Sequence, residues 1–407
     1  MNELPSNEGA IRGDSLIGHA ETASAKVDSR VNRRAFLGGM GLGSAFFALS
    51  PHLRSVLENS AEQALFCVGS FGSRDAGTLR LMRVQGEKSR VVSTHPSERP
   101  VAIARHPFRP LIYVANDVSL YQHQPRGTVE TFAFDKAAGT MELVGRQPLS
   151  LSATQPRSLA ISPDGSSLLV AAFGGGAYNL LPIDEAGLPS APSVILKQVG
   201  HGPHPAEQAS AHPTHVLFHP EKGIAIATDY GADRLDVLTS EREEFGAGNM
   251  RVAARTPCIA GSGPSKIAMH PNGELFVVAH VLRPALAAFR LTSEMKLVPV
   301  GHTSLSAAPT AICFSSNKSI VFAAQTRGTR SALLTACTAH PQTGTLTRVA
   351  ELSLPATRVT AIHPGRLTLW LASERGVIAV ELGSHTGTPR EAYRVSSIPS
   401  LRSMALL

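Results

Sequence analysis

Short apolar runs, each broken by a proline-centred polar turn, recur along this chain. The clearest copy spans residues 157–172: Arg157-Ser158-Leu159-Ala160-Ile161, the turn Ser162-Pro163-Asp164-Gly165, then Leu168-Leu169-Val170-Ala171-Ala172. Pro163 presets φ at the second turn position and Gly165 relieves the fourth, so a type I turn is expected. The aliphatic and β-branched flanks suit two strands of a buried hairpin. Looser copies follow Arg105-His106-Pro107, Phe218-His219-Pro220, Met269-His270-Pro271 and Ile362-His363-Pro364, and one without the proline lies at Phe314-Ser315-Ser316-Asn317. The interval is about 45–57 residues, the period of propeller blades and too long for most helical repeats.

The second unit shows four strands in order: 101–105, 111–116, 127–134 and 141–144, the last two joined by a polar turn. Further units begin near Ser158, His215, Lys266, Thr310 and Val359. The first unit, from Leu65 to about Ser93, has only three strands, and the chain ends in a lone strand-like segment, 400–407. That tail supplies the missing strand, which closes the ring and removes its open edges. The expected fold is therefore all-β: a seven-bladed β-propeller closed by a C-terminal strand, occupying 64–407.

Composition agrees with this and narrows the partners. Thirty-five Gly and 28 Pro fit a turn-dense β protein. No run is long and apolar enough for a membrane span in the mature chain. The net charge of +7 comes from basic residues scattered along the sequence, with only five Tyr and one Trp, which argues against a nucleic-acid partner. A small anionic ligand needs only two or three convergent cations. Cys67, Cys258, Cys313 and Cys337 have no zinc-type spacing and sit in or beside apolar runs, as buried thiols do, although an exported protein could pair some of them. Residues 1–63 read as a leader. Within it Asn32-Arg33-Arg34-Ala35-Phe36-Leu37-Gly38 precedes a Gly-rich, weakly apolar run, resembling a twin-arginine signal read by the export machinery. A periplasmic or otherwise exported bacterial protein is expected.

The propeller resembles the seven-bladed lactonase family, which includes bacterial propeller-type 6-phosphogluconolactonases and fungal carboxymuconate cyclase. The resemblance is carried by the turn at Ser162, by Phe173-Gly174-Gly175-Gly176, by Gly200-His201-Gly202-Pro203 with Gln208 and His212, and by Asp229-Tyr230-Gly231-Ala232-Asp233-Arg234. Arg327 and Arg358 match arginines of the family's sixth and seventh blades. The chain departs from the pattern at Ala172 (Asn in the family), Glu207 (Arg), Thr214 (the second histidine of a His-x-His pair), Ser265-Lys266 (Arg-His) and Ala279-His280 (Asn-Glu).

The resemblance implies a lactonase-like hydrolase that opens a small anionic sugar lactone. Such chemistry needs an activated water, a cation for the developing oxyanion and an anchor for the substrate's anion. His212 is the expected general base, and Arg358, the second expected catalytic residue, binds the anion together with Arg157. Arg157, Gln208, His215, Asp233, Lys266 and Arg327 are the expected substrate contacts, with Asp229 and Asp233 either orienting their loop or holding a cation in place. The histidines at 201, 204, 212, 215 and 219 invite a metal reading, but His212 and His215 lie three apart around Pro213 and no Glu or Asp completes a ligand set with them, so no metal is expected. No cofactor is expected either. The alternative is a non-catalytic exported propeller that binds a ligand or a protein partner through an altered site.

Overall fold

In a computed structural model of the chain, seven four-stranded antiparallel sheets follow one another as blades, each built from a contiguous stretch except the first. The structure describes residues 64–407 apart from 74–75, 241–249, 317–318 and 329–330, and these described residues contain no helix. The expected leader, with Arg33-Arg34, lies outside the described residues. Blade 1 joins Leu401–Leu406 as its inner strand to Ala64–Phe71, Gly77–Gln85 and Lys88–Pro96. The inner strands of blades 2 to 7 are Pro100–Arg105, Pro156–Ile161, Pro213–Phe218, Pro264–Met269, Pro309–Phe314 and Val359–Pro364. Each begins within two residues of the position expected from the repeat.

The tail strand closes the ring with main-chain and side-chain contacts. It pairs with the first strand from Phe66↔Leu406 to Ser70↔Leu401. Leu401 and Met404 are buried with Phe66, Ala372 and Trp370 in the seam between blades 7 and 1. Phe66 meets the Trp370 ring at 5.3 Å between centroids. Ser403 Oγ donates to the Pro100 carbonyl at 2.9 Å, tying the tail to blade 2. A separate apolar layer fills every other seam, so each blade packs against both of its neighbours.

The turn at Ser162 forms as its residues demand. Gly165 has φ +73° and its N–H donates to the Ser162 carbonyl at 2.9 Å, while the Asp164 carboxylate accepts from Ser166 N at 3.0 Å. The run Phe173-Gly174-Gly175-Gly176 is a tight turn between the second and third strands of blade 3. A Cβ on Gly175 would stand 1.7 Å from the Ser152 carbonyl, so only glycine lets this turn sit against the neighbouring loop.

One irregularity is repeated in every blade and positions the site. All seven inner strands carry a β-bulge near their start, where two residues face one on the next strand. The extra residues are Val101, Arg157, Thr214, Ser265, Thr310, Thr360 and Arg402. A bulge bends the strand and re-aims side chains that would otherwise alternate across the sheet.

Candidate functional site

All seven bulge residues line one cavity of about 690 Å³. The residues immediately after them (Ala102, Ser158, His215, Lys266, Ala311, Ala361 and Ser403) line a narrower space of about 190 Å³. The two spaces share Val101, Arg157, Lys266 and Thr360. The first is the channel mouth and the second its throat, and the bulges set two stacked rings of side chains along the axis.

The charges of the mouth are unevenly distributed. Arg402 of blade 1, Arg157 of blade 3, and Arg99 and Arg358, which precede the inner strands of blades 2 and 7, all line it. These blades are neighbours, so the four guanidiniums form an arc. Thr214, Ser265 and Thr310 supply hydroxyls on the opposite arc, above Lys266 of blade 5. Glu207 is the sole acidic residue among those lining the mouth.

The arc is organised from below and beside. Buried Asp117 accepts from Arg99 Nη2 at 3.1 Å and Arg157 Nη1 at 3.0 Å through the same oxygen. Arg99 lies 4.3 Å from the centroid of Phe71, and Arg402 lies 5.2 Å from the same ring. Burial, with Arg358, Arg99 and Arg157 close by, pulls the Arg402 guanidinium below its usual pKa. Its Nε is buried without a hydrogen-bond partner among the described residues. The Glu374 carboxylate accepts from Arg358 N and Thr357 N, both at 2.8 Å, and fixes the backbone that carries Arg358. Among the lining residues one carboxylate, Glu207, stands against five cations, and even with Asp117 beneath Arg99 and Arg157 the concave site keeps a positive field suited to an anion.

The throat is less polar. Lys266 is half-buried, and among the described residues its ammonium has no hydrogen-bond or ion-pair partner. Burial first, and then Arg157, push its pKa down to about 8. Burial and the nearby Lys266 hold His215 well below the ordinary imidazole value. Its Nδ1 accepts from Ile267 N at 3.4 Å, so the neutral ring carries its proton on Nε2.

The structure brings Arg157, Lys266 and Arg358 together at the mouth and places His215 just below. The remaining expected residues lie elsewhere. His212 stacks on Phe173 at 4.3 Å between centroids, and its Nδ1 donates to the Phe173 carbonyl at 3.0 Å. It supports a lining aromatic without itself lining the cavity. Gln208 is fully buried and donates from Nε2 to the Tyr230 carbonyl at 2.8 Å, bracing the loop. The Asp233 carboxylate accepts from the backbone N–H groups of Gly261, Ser262 and Gly263 at 2.6–3.1 Å, so it anchors a loop rather than a ligand. Asp229 likewise accepts from His212 N and Ala232 N. Arg327 is exposed, reaches Ser306 Oγ at 3.3 Å and is absent from the mouth's lining. Among the described residues, no group of three or more His, Cys, Asp or Glu is placed to hold a metal.

Among the contributors not expected are Arg99, Asp117, Arg402 and the Glu207–Tyr230 pair, in which Tyr230 OH donates to Glu207 Oε2 at 2.9 Å. Burial and Glu207 together raise the Tyr230 phenol above its usual value, so it stays a donor. Aligning the tail with the repeat carried a usable signal. Leu401-Arg402-Ser403 takes the place of Pro156-Arg157-Ser158, which puts Arg402 at a bulge.

Residues 66–353 match the family described as lactonase, 7-bladed beta-propeller. The chain belongs to this family. It is 23% identical over 216 residues to a 6-phosphogluconolactonase of Bacillus subtilis, a match covering 51% of this chain and 58% of that relative's length. Among solved structures, it shares its fold with a periplasmic gluconolactonase of Pseudomonas aeruginosa. That pair has a TM-score of 0.75 at 19% identity, covering 85% of this chain and 99% of the other. A protein of Lactobacillus plantarum gives a TM-score of 0.74 at 15% identity, covering 85% of this chain and all of the other.

Proposed function

We propose that this propeller is a lactonase that opens a small anionic lactone at the channel mouth. The observation that carries this is the arc of Arg99, Arg157, Arg358 and Arg402 facing Lys266 across an open, polar cavity. Family membership supplies the reaction class, and the names of the B. subtilis and P. aeruginosa proteins support a sugar lactone as the substrate. Arg99, Arg358 and Arg402 of the arc hold the substrate's anion. The Lys266 ammonium and Arg157 face the lactone carbonyl and stabilise the oxyanion that develops there.

Glu207, rather than His212, is the group placed to take a proton from water, because it lines the mouth and His212 does not. Water oxygen bonds to the carbonyl carbon as its proton passes to Glu207. Collapse of the tetrahedral oxyanion breaks the ring C–O bond, and the leaving alkoxide takes the proton back. No cofactor enters this scheme. Export completes the proposal, supported by Arg33-Arg34 and the apolar run after them.

Hydrolysis of anionic and neutral aldonolactones by the purified protein tests this, with Glu207→Gln and His212→Ala alongside. Glu207→Gln is expected to lose about 100-fold in kcat, in the range for a general base, and His212→Ala far less. The proposal fails if the wild-type protein adds nothing to spontaneous opening of any anionic lactone. A mouth plugged by apolar side chains would instead have favoured the non-catalytic alternative, and the mouth is open and lined by charged and hydroxyl groups.

A further inference from the structure

We propose that Lys266 is the reactive amine of a covalent site for small anionic aldehydes, which the arginine arc holds while the lysine forms a reversible imine. The argument begins with the ring in which Lys266 sits. The other members of that ring are Ala102, Ser158, His215, Ala311, Ala361 and Ser403. None is acidic, so no carboxylate in the ring holds the ammonium in its charged form. His215 is kept neutral beside it. Arg157 opposes a second positive charge at close range. Together these leave roughly a tenth of the amine as free base at neutral pH, far more than an exposed lysine provides.

Access and anchoring are independent of that charge state. Lys266 borders both the throat and the mouth, a cavity of about 690 Å³, so it is reachable from the mouth. The arc lies across the same cavity, with Arg402 and Arg157 projecting from bulges and Arg358 held by Glu374. A ligand with an anionic head and a carbonyl a few bonds away would span the two. The amine nitrogen adds to the carbonyl carbon to give a carbinolamine. Loss of hydroxyl with a nitrogen-bound proton, as water, leaves the C=N bond. No oxidant or reductant is needed, and water reverses the step. The site rests on the arc and the lysine, not on lactone hydrolysis.

Pyridoxal 5′-phosphate is the probe, with pyridoxal as the same aldehyde lacking the phosphate. The full chain is treated with each, reduced with borohydride and mapped by peptide mass spectrometry, with no lactone present. The expected result is label on the Lys266 peptide, at a rate half-maximal near pH 8 and at least about tenfold faster with the phosphate-bearing aldehyde. Inorganic phosphate should slow it. Lys266→Arg should remove the saturable labelling. If that variant fails to fold, the wild-type peptide map decides alone. Label spread evenly over surface lysines, an unlabelled Lys266, or equal rates for the two aldehydes overturns the proposal. Loss of lactone hydrolysis would leave each of these readouts intact, so the two proposals fail separately.

Discussion

The Asp117 carboxylate lies 3.0 Å from Arg157 Nη1, and its side chain is almost wholly buried while the Arg157 side chain is 38% exposed. The acid is held under the rim and the cation is presented to the mouth. Because the same oxygen also takes Arg99, one negative charge sets the positions of two positive ones. Preorganising cations in this way limits what binding must spend on ordering side chains.

Replacing that carboxylate should expose the repulsion it offsets. Asp117→Asn is expected to lower the melting temperature, since Arg99, Arg157 and Arg402 lose their shared counter-ion. Added inorganic phosphate should then restore more stability to the variant than to the wild type. Thermal melts across a phosphate series check this, and equal increments in both proteins would refute it.

The arc predicts selectivity as well as affinity. Arg402→Ala and Arg358→Ala should each lower kcat/KM for an anionic lactone by about 10- to 150-fold, as expected for one charge-assisted contact. A neutral lactone of the same ring size should lose much less. The informative quantity is the ratio of the two substrates, measured for each variant. An unchanged ratio would mean that the arc does not hold the anion.

Lys266 should leave two signatures in pH. Its folded pKa is about 8, below the ordinary lysine value, so between about pH 8 and 10.5 the unfolded chain binds the extra proton and the native one does not. Stability therefore rises with pH across that window. Lys266→Met should be more stable than wild type at pH 7 and should show a flatter rise, read from denaturant midpoints at several pH values. Hydrolysis that uses the ammonium should decline as pH rises through about 8.

A second titration lies in blade 4. Asp236 is fully buried, and its pKa is pushed up to about 6, chiefly by burial and partly offset by Arg234. Here the native state binds the extra proton between about pH 4 and 6, so stability falls as pH rises through that window. Asp236→Asn should flatten this slope, as seen in melting temperatures from pH 4 to 7. An unaltered slope would place the titration elsewhere.

The closing strand can be tested by packing alone. Met404 is 3% exposed in the seam between blades 7 and 1. Met404→Ala should cost about 2–4 kcal/mol from lost contacts and the cavity left behind. Removing residues 401–407 should uncover the edge of Ala64–Phe71 and promote aggregation. Equilibrium denaturation and light scattering report the two effects.

Much of the architecture could be read in advance because it is local and repeated. The turn chemistry at Ser162, the two-residue alternation of the strands and the recurrence of the hairpin set seven blades and the tail's role. Arg157, Lys266 and Arg358 were legible for the same reason, since each sits at or next to the start of an inner strand. His212, Gln208, Asp233 and Arg327 share the loop and strand positions that suggested a ligand. Their side chains are taken by Phe173, Tyr230, three backbone N–H groups and Ser306.

By itself, then, the sequence determined the blade repeat, the strand order and the closure of the ring, because short-range turn and strand preferences act within a few residues. Only the tertiary structure decided which cations meet. Arg402 and Arg99 are about 300 residues apart in the chain, and it is closure of the ring that brings them to one mouth. The bulges then turn Arg157 and Arg402 toward the axis, a choice that depends on register between strands. Place in the repeat marks Arg157, Arg358 and Arg402 as inner-strand residues, but which way each side chain turns and what it meets arise from seven sheets packing around a common axis.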